Sequence, residues 1–289
     1  MNNDDIDRPS AMKIRQGIQD AMTYSLPDKK FEPSEIDLVE INIQLDNLGW
    51  NFHNFRILNL TDIHLGQWIN PKYLDELIDY VNLLNVDLIT LTGDYFSYVT
   101  KGYEKSLQKS FKKLNSRYGK FGVLGNHDHW MDSKKIRNIF KASKVIDLSN
   151  KVYTIEKDGD FLNICGVDSC TVCADNIDEV LSKMRKNTPS ILLAHEPDFA
   201  EESSKTNMFN LQISGHSHGG QFIIPKVDTT PFRGPNSRKY PVGLYKVRNM
   251  MQYTSKGLGT NSFRFRINCK PEITIITLKT NKKRKIEIK

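Results

Sequence analysis

Five short apolar runs in this chain each lead into a cluster of carboxylate, amide or imidazole side chains. Arg56-Ile57-Leu58-Asn59-Leu60 leads into Thr61-Asp62-Ile63-His64, and Val86 to Leu91 leads into Thr92-Gly93-Asp94. Phe121 to Leu124 leads into Gly125-Asn126-His127-Asp128-His129. Ser190 to Ala194 leads into His195-Glu196-Pro197, and Leu211 to Ser214 leads into Gly215-His216-Ser217-His218-Gly219-Gly220. Short apolar runs bounded by Gly, Pro and Asp read as buried strands. In an open α/β sheet, ligands gather where strands end at their carboxyl edge. The strand ends are therefore expected to converge on one cleft, which takes in every histidine of the chain except His53.

The donors are oxygen and imidazole nitrogen, with no thiolate. That mixture suits Mn, Fe or Zn better than a closed structural zinc site. There are too many donors for one ion, but they suit two divalent ions sharing a bridging carboxylate. Two ions roughly 3.5–4 Å apart can clamp a phosphoryl group together with an attacking hydroxide. A lone histidine such as His195 is more often a core or surface residue; here it follows an apolar run inside an ordered set, and it reads as a ligand. His53 reads as an ordinary loop residue. His129 either lines the pocket or plays a structural role. A site kept only for binding would lack a ligand, and none is missing.

The order Asp-x-His, Gly-Asp, Gly-Asn-His-Asp, lone His, Gly-His-x-His resembles the calcineurin-like metallophosphoesterase family, over roughly Phe55 to Leu278. Gly215 to Gln221, Ser255-Lys256-Gly257-Leu258-Gly259 and Arg266 to Thr274 are similar to one branch of it. That branch contains bacterial envelope phosphodiesterases, including UDP-2,3-diacylglucosamine pyrophosphatases. Lys270 stands where the branch tends to have Pro after the Cys. The resemblance implies an α/β fold, a four-layer αββα sandwich of two mixed sheets with a dinuclear metal site at the strand ends. It implies Asp62, His64 and His218 on the first metal, Asn126, His195 and His216 on the second, and Asp94 bridging both. His127 would lie beside the substrate phosphate as transition-state stabiliser or acid. Asp128 would orient His127 and favour its imidazolium. The nucleophile would be a hydroxide activated by both metals.

Along the chain, residues 1–36 read as an N-terminal extension. Ile14, Ile18, Ala21, Met22 and Leu26 give it one apolar helical face, packed on the domain or, alternatively, laid on a membrane surface. Residues 37–280 hold the catalytic domain. Its first strand, Glu40 to Leu45, is expected beside the strand leading to Asp62. Helices are expected over 71–84, 103–118, 133–142 and 176–185, with strands over 152–156 and 161–167. Residues 281–289 form a basic tail. Cys170 and Cys173 make a solitary Cys-x-x-Cys, read as loop thiols. Beyond Ile223 a long Pro-, Gly- and Arg-rich stretch offers Arg233, and the later stretch Arg266, for phosphate contacts.

A net charge of +7 suits an anionic substrate or an anionic membrane surface, and is too mild to argue for nucleic acid. No apolar stretch approaches 18 residues, and the acidic start Met1-Asn2-Asn3-Asp4-Asp5 is wrong for a secretory signal. The expected location is cytoplasmic, with peripheral contact at the inner membrane face as the alternative. The expected function is a metal-dependent phosphohydrolase cleaving a phosphodiester or diphosphate bond, with UDP-2,3-diacylglucosamine or a related lipid-linked substrate as the specific candidate. The alternatives are a nuclease or phosphomonoesterase on the same core, and a membrane-associated metal-binding adaptor.

Overall fold

The computed structural model describes residues 30–97, 102–223, 234–261 and 265–281. The expected N-terminal helix, the basic run Lys282-Lys283-Arg284-Lys285 and Arg233 lie outside them.

One sheet holds β1 (Asp37–Leu45), β2 (Arg56–Leu60), β3 (Leu88–Leu91), β4 (Lys120–Gly122), β5 (Val145–Asp147) and β12 (Glu272–Thr280). The other holds β6 (Lys151–Lys157), β7 (Asp160–Gly166), β8 (Ser190–Leu193), β9 (Leu211–Ser214), β10 (Gly243–Val247) and β11 (Met250–Thr254). Their orders are β1-β12-β2-β3-β4-β5 and β10-β11-β9-β8-β7-β6. The strands that lead to the ligand clusters are parallel within each sheet: β2, β3 and β4 in the first, β8 and β9 in the second. All five therefore end at a carboxyl edge, as the sequence pattern requires.

The sheets face each other across a layer of Ile57, Leu88 and Phe121 from the first and Ile164, Ile191 and Ile213 from the second. Outside the first sheet lie α1 (Pro71–Leu83), α2 (Glu104–Lys113) and α4 (Ser133–Ser143), sealed by Leu74, Leu77, Phe111 and Phe140. Outside the second, Val180 of α5 (Ile177–Lys183) and Ala200 of the short α6 (Ala200–Ser203) pack on Cys165 and Leu192. The layers run α, β, β, α. Fully burying an aliphatic side chain of this kind stabilises by about 1.5–3 kcal/mol, so the three apolar layers dominate folding.

The local logic of α1 was readable. Asn70 caps it by accepting from the Tyr73 N–H at 2.8 Å, Pro71 starts it, and Leu74, Leu77, Ile78 and Val81 form its buried stripe. Ahead of it, Phe31 rests edge-on against Tyr73, and its N–H donates to Glu76.

Two elements differ from the sequence expectation. β1 does not lie beside β2; β12 runs between them, parallel to β1 and antiparallel to β2. The second helix stops at Lys113 rather than near 118, because Ser116 turns the chain with a bond to the Gly119 carbonyl and Tyr118 is needed against Phe55. The hairpin β10–β11 was not anticipated; it turns through Arg248 in the left-handed region. Among the described residues no helix is long and apolar enough to cross a membrane.

Candidate metal centre

The ligand clusters meet at one edge of the sandwich. Asp62 and His64 follow β2, Asp94 follows β3, and Asn126 and His127 open the helix α3 (Asn126–Met131) after β4. His195 follows β8, and His216 and His218 follow β9. The chain reverses sharply at each end. Asp62, His64, Asp94, His216 and His218 all have φ between 45° and 68°, the left-handed region that Asp and His tolerate better than most residues. Strain of this kind concentrates at functional sites and persists only where the surroundings enforce it. Gly93 (φ 100°) could carry no side chain, since a Cβ there would lie 2.6 Å from His195 Nδ1 and 2.7 Å from the Gly125 nitrogen.

Two groups of potential ligand atoms form. Asp62, His64 and His218 make one; Asp94, His195 and His216 make the other; within each, the atoms lie within 4.8 Å of one another. In the first, His64 Nε2 is 3.1 Å from His218 Nε2, and His218 Nε2 is 3.4 Å from Asp62 Oδ1. In the second, His195 Nε2 is 3.1 Å from His216 Nδ1 and 3.2 Å from Asp94 Oδ2. Asp94 Oδ2 is also 3.6 Å from His64 Nε2, so this one carboxylate borders both groups. Asn126 Oδ1 is buried and accepts no hydrogen bond among the described residues.

The other ring nitrogens fix the tautomers. His195 Nδ1 lies 2.7 Å from the Thr92 carbonyl, and His216 Nε2 lies 2.8 Å from the Pro235 carbonyl. A carbonyl can only accept, so those nitrogens carry the protons. Their opposite nitrogens, 3.1 Å apart, then present two lone pairs to one point. Such a pair needs a proton or a metal cation between it. His64 Nδ1 lies 2.5 Å from Ser97 Oγ, and His127 Nδ1 lies 3.2 Å from the Ser97 carbonyl. This donor set of imidazoles, carboxylates and one orphaned amide oxygen fits two divalent cations of the Mn, Fe or Zn type.

The electrostatics agree. Burial lowers the His64 ring well below the usual histidine range, and the neighbouring His218 adds to it. Burial would lower His195 too, but Asp94 overrides it and holds the ring well above that range. A field that holds a proton there also favours a metal ion. Burial lowers His127, opposed by Asp94 and the Ser97 carbonyl.

Two expected roles look different in place. Asp128 does not touch the His127 ring. Its Oδ2 accepts from the Asp94 and Gly125 N–H groups at 2.8 and 2.9 Å, and its Oδ1 from Tyr95 N–H at 3.0 Å. It braces the backbone that carries Asp94 and Asn126; the sequence adjacency to His127 misled because a helix turns consecutive side chains to different faces. Burial and the Asp94 charge push the Asp128 carboxyl up, to about 7, against the pull of those N–H groups. Arg266 is not an open fork. Its guanidinium donates to the carbonyls of Gly259, Lys256, Gly257 and His218. It ties the turn after His218 to the 256–259 loop.

His129 turns away to Asp168, at 2.6 Å, which also holds Arg137 at 2.7 Å. His53 stacks on Trp50, away from the site. All four cysteines are free; Cys170 sits in a turn whose N–H groups bind Glu196, next to His195. The supports that sequence reasoning missed are Thr92, Ser97 and Pro235. Two act through backbone carbonyls, which leave no side-chain signal; Ser97, three residues past Asp94, is the one of the three whose hydroxyl meets a site histidine.

A model of the calcineurin-like phosphoesterase family matches residues 55–220. The chain is 31% identical over 255 residues to the uncharacterised metallophosphoesterase YkuE of Bacillus subtilis, spanning 86% of this chain and 87% of that one. It is 27% identical over 237 residues to the phosphodiesterase YaeI of Escherichia coli, spanning 78% and 82%. Among solved structures, the sulfate thiohydrolase SoxB of Thermus thermophilus shares the fold with a TM-score of 0.50 at 10% identity. That likeness spans 79% of this chain and only 57% of SoxB, and at such identity it speaks to fold alone.

Proposed function

Since the chain belongs to the calcineurin-like phosphoesterase family, and is thus a metal-dependent hydrolase of phosphoric ester bonds, we propose that it cleaves a phosphodiester or diphosphate using all seven of the ligands named above. In this reading Asp62, His64 and His218 hold one divalent cation and Asn126, His195 and His216 the other, with Asp94 between them. The observation that carries it is the facing of ring nitrogens, His64 to His218 and His195 to His216, each pair 3.1 Å apart beside the shared Asp94 carboxylate. Two cations held there supply positive charge for the phosphoryl oxygens and ionise water near neutral pH.

The chain's own residues do the rest. Asp94 accepts the His127 N–H at 2.9 Å, which fixes the start of α3 against the ligand cluster. His127 donates from Nδ1 to the Ser97 carbonyl, which sets the orientation of the ring, and in this reading Nε2 acts on a substrate oxygen. A phosphate anion beside Nε2 favours the imidazolium, which can stabilise developing charge or protonate the leaving group.

The finer reading is a lipid-linked substrate such as UDP-2,3-diacylglucosamine. It is supported by a short ribbon just after His218, where Phe222 pairs with Ile267 and Ile223, Phe265 and Ile267 are 44%, 52% and 39% exposed. Apolar side chains beside a phosphoester site suit an acyl-bearing substrate or contact with a membrane surface. The name of YaeI supports a diester over a monoester. A metal-loaded screen of bis-p-nitrophenyl phosphate, p-nitrophenyl phosphate and UDP-linked lipids tests it. Preference for the diester and the lipid is expected. Preference for the monoester, or a steep salt-dependent affinity for DNA, would favour the monoesterase or nuclease alternative. No turnover on any substrate with metal bound would leave only the adaptor.

A further inference from the structure

We propose that Ser97 is a positioning residue that serves two site histidines through two different atoms, its hydroxyl setting His64 for metal binding and its carbonyl setting His127 for chemistry. The proposal rests on the reading that Asp62, His64 and His218 hold a divalent cation.

The local backbone explains why Ser97 is there. After β3 the chain runs alongside the segment that carries His64. His64 N–H donates to the Asp94 carbonyl at 3.1 Å, Leu65 N–H to the Tyr95 carbonyl at 2.9 Å, and Leu65 pairs with Phe96. Two residues of parallel pairing bring residue 97 level with the far side of the His64 ring. Ser97 is buried, and its Oγ is 2.5 Å from His64 Nδ1. With the proton on Nδ1, the lone pair sits on Nε2, the nitrogen facing His218. The His127 ring stands edge-on to His64 with centroids 5.0 Å apart, and its Nδ1 reaches the Ser97 carbonyl.

The division between the two atoms makes the proposal separable. Ser97→Ala deletes the hydroxyl and keeps the carbonyl. Ser97→Thr keeps both. Partners that orient a metal-ligating histidine typically contribute about 10–100-fold in metal affinity. The test is calorimetric titration of the metal-free full chain with Mn²⁺, for wild type and both variants. It is run with thermal unfolding of the metal-free proteins and with rates on an aryl and an alkyl diester.

The expected result has three parts. Ser97→Ala weakens one of two Mn²⁺ sites by about 10–100-fold, and Ser97→Thr recovers most of it. The metal-free unfolding temperature falls by less than about 4 °C, the size of one hydrogen bond. The aryl-to-alkyl rate ratio at saturating Mn²⁺, which reports His127, stays as in wild type.

Wild-type affinity at both sites in Ser97→Ala would overturn the hydroxyl's role. Equal weakening of both sites with a large fall in the metal-free unfolding temperature would make Ser97 a structural prop and overturn it too. A collapsed rate ratio would overturn the division between the two atoms. A wild-type chain that takes up no Mn²⁺ would sink the metal reading itself, and this inference with it.

Discussion

His195 Nε2 and His216 Nδ1 lie 3.1 Å apart, while each ring's other nitrogen donates to a backbone carbonyl, Thr92 for one and Pro235 for the other. Neither ring can turn its lone pair away without breaking its bond to a carbonyl. The contact is repulsive between neutral rings and attractive around a cation. Folding therefore builds the cation's place in advance, with Asp94 supplying the negative charge.

Metal removal should cost stability. An ion that binds only the folded chain adds about 2.7 kcal/mol at a hundredfold excess over its Kd, and each kcal/mol moves the unfolding temperature by about 2–4 °C at this size. A chelated sample should melt roughly 5–10 °C below a Mn²⁺-loaded one for each ion lost. His216→Ala should lose the share of one ion. Identical melting curves with chelator and with Mn²⁺ would count against the site.

Asp94 touches both groups, at 3.2 Å from His195 Nε2 and 3.6 Å from His64 Nε2. Asp94→Asn removes the charge that both cations would share. The variant should purify with less metal and show no measurable turnover. Elemental analysis beside a diester assay checks this; two bound metals at the wild-type rate would sink the bridging role.

That the candidate clusters would meet was readable because each sits in a short motif at the end of an apolar strand, and strand ends meet by geometry. The αββα layering was implied by the family resemblance, and the strands and the apolar stripe of α1 agreed with it. The place of β12 was not readable. Its pairing with β1 joins Asp37 to Glu272, and nothing local to either segment encodes a partner so distant in sequence. Thr92 and Pro235 were missed because carbonyls are common to all residues. Arg266 was expected on a phosphate and is found on backbone carbonyls because its five donors match both kinds of oxygen equally well.

Arg266 supplies the sharper contrast. A substrate fork would show in KM with stability unchanged. A brace holding the carbonyls of His218 and the 256–259 loop should show the reverse. Bonds to a charged donor are worth about 1.5–3 kcal/mol each, and Lys cannot reach all of these acceptors from one point. Arg266→Lys should therefore destabilise by roughly 2–3 kcal/mol in denaturant titration, with KM near wild type at saturating metal. A raised KM at unchanged stability would restore the substrate role.

Asp128→Asn replaces an acceptor oxygen by a donor facing backbone N–H groups of Asp94, Gly125 or Tyr95. An unsatisfied buried donor costs about 1–3 kcal/mol, so a loss near the upper end is expected. The dependence of rate on the leaving group should survive. If that dependence changes while stability does not, Asp128 acts on His127 after all.

His127 is one residue from the proposed ligand Asn126, yet its Nδ1 is engaged by the Ser97 carbonyl and its proposed work is chemistry rather than coordination. Groups that act mainly in the transition state lower kcat more than they raise KM when removed. General acid catalysis is typically worth about 10²–10⁴-fold. His127→Ala should keep both metals and lose about that much rate on an alkyl diester. The loss should shrink for p-nitrophenol as leaving group, which needs little protonation. His216→Ala should instead lose metal and activity together on every substrate. Metal content and kcat for both variants, on a good and a poor leaving group, decide the matter. Metal loss in His127→Ala would make His127 a ligand or a prop. Metal retained with equal rate loss on both leaving groups would place its action on the phosphoryl charge rather than on the leaving group.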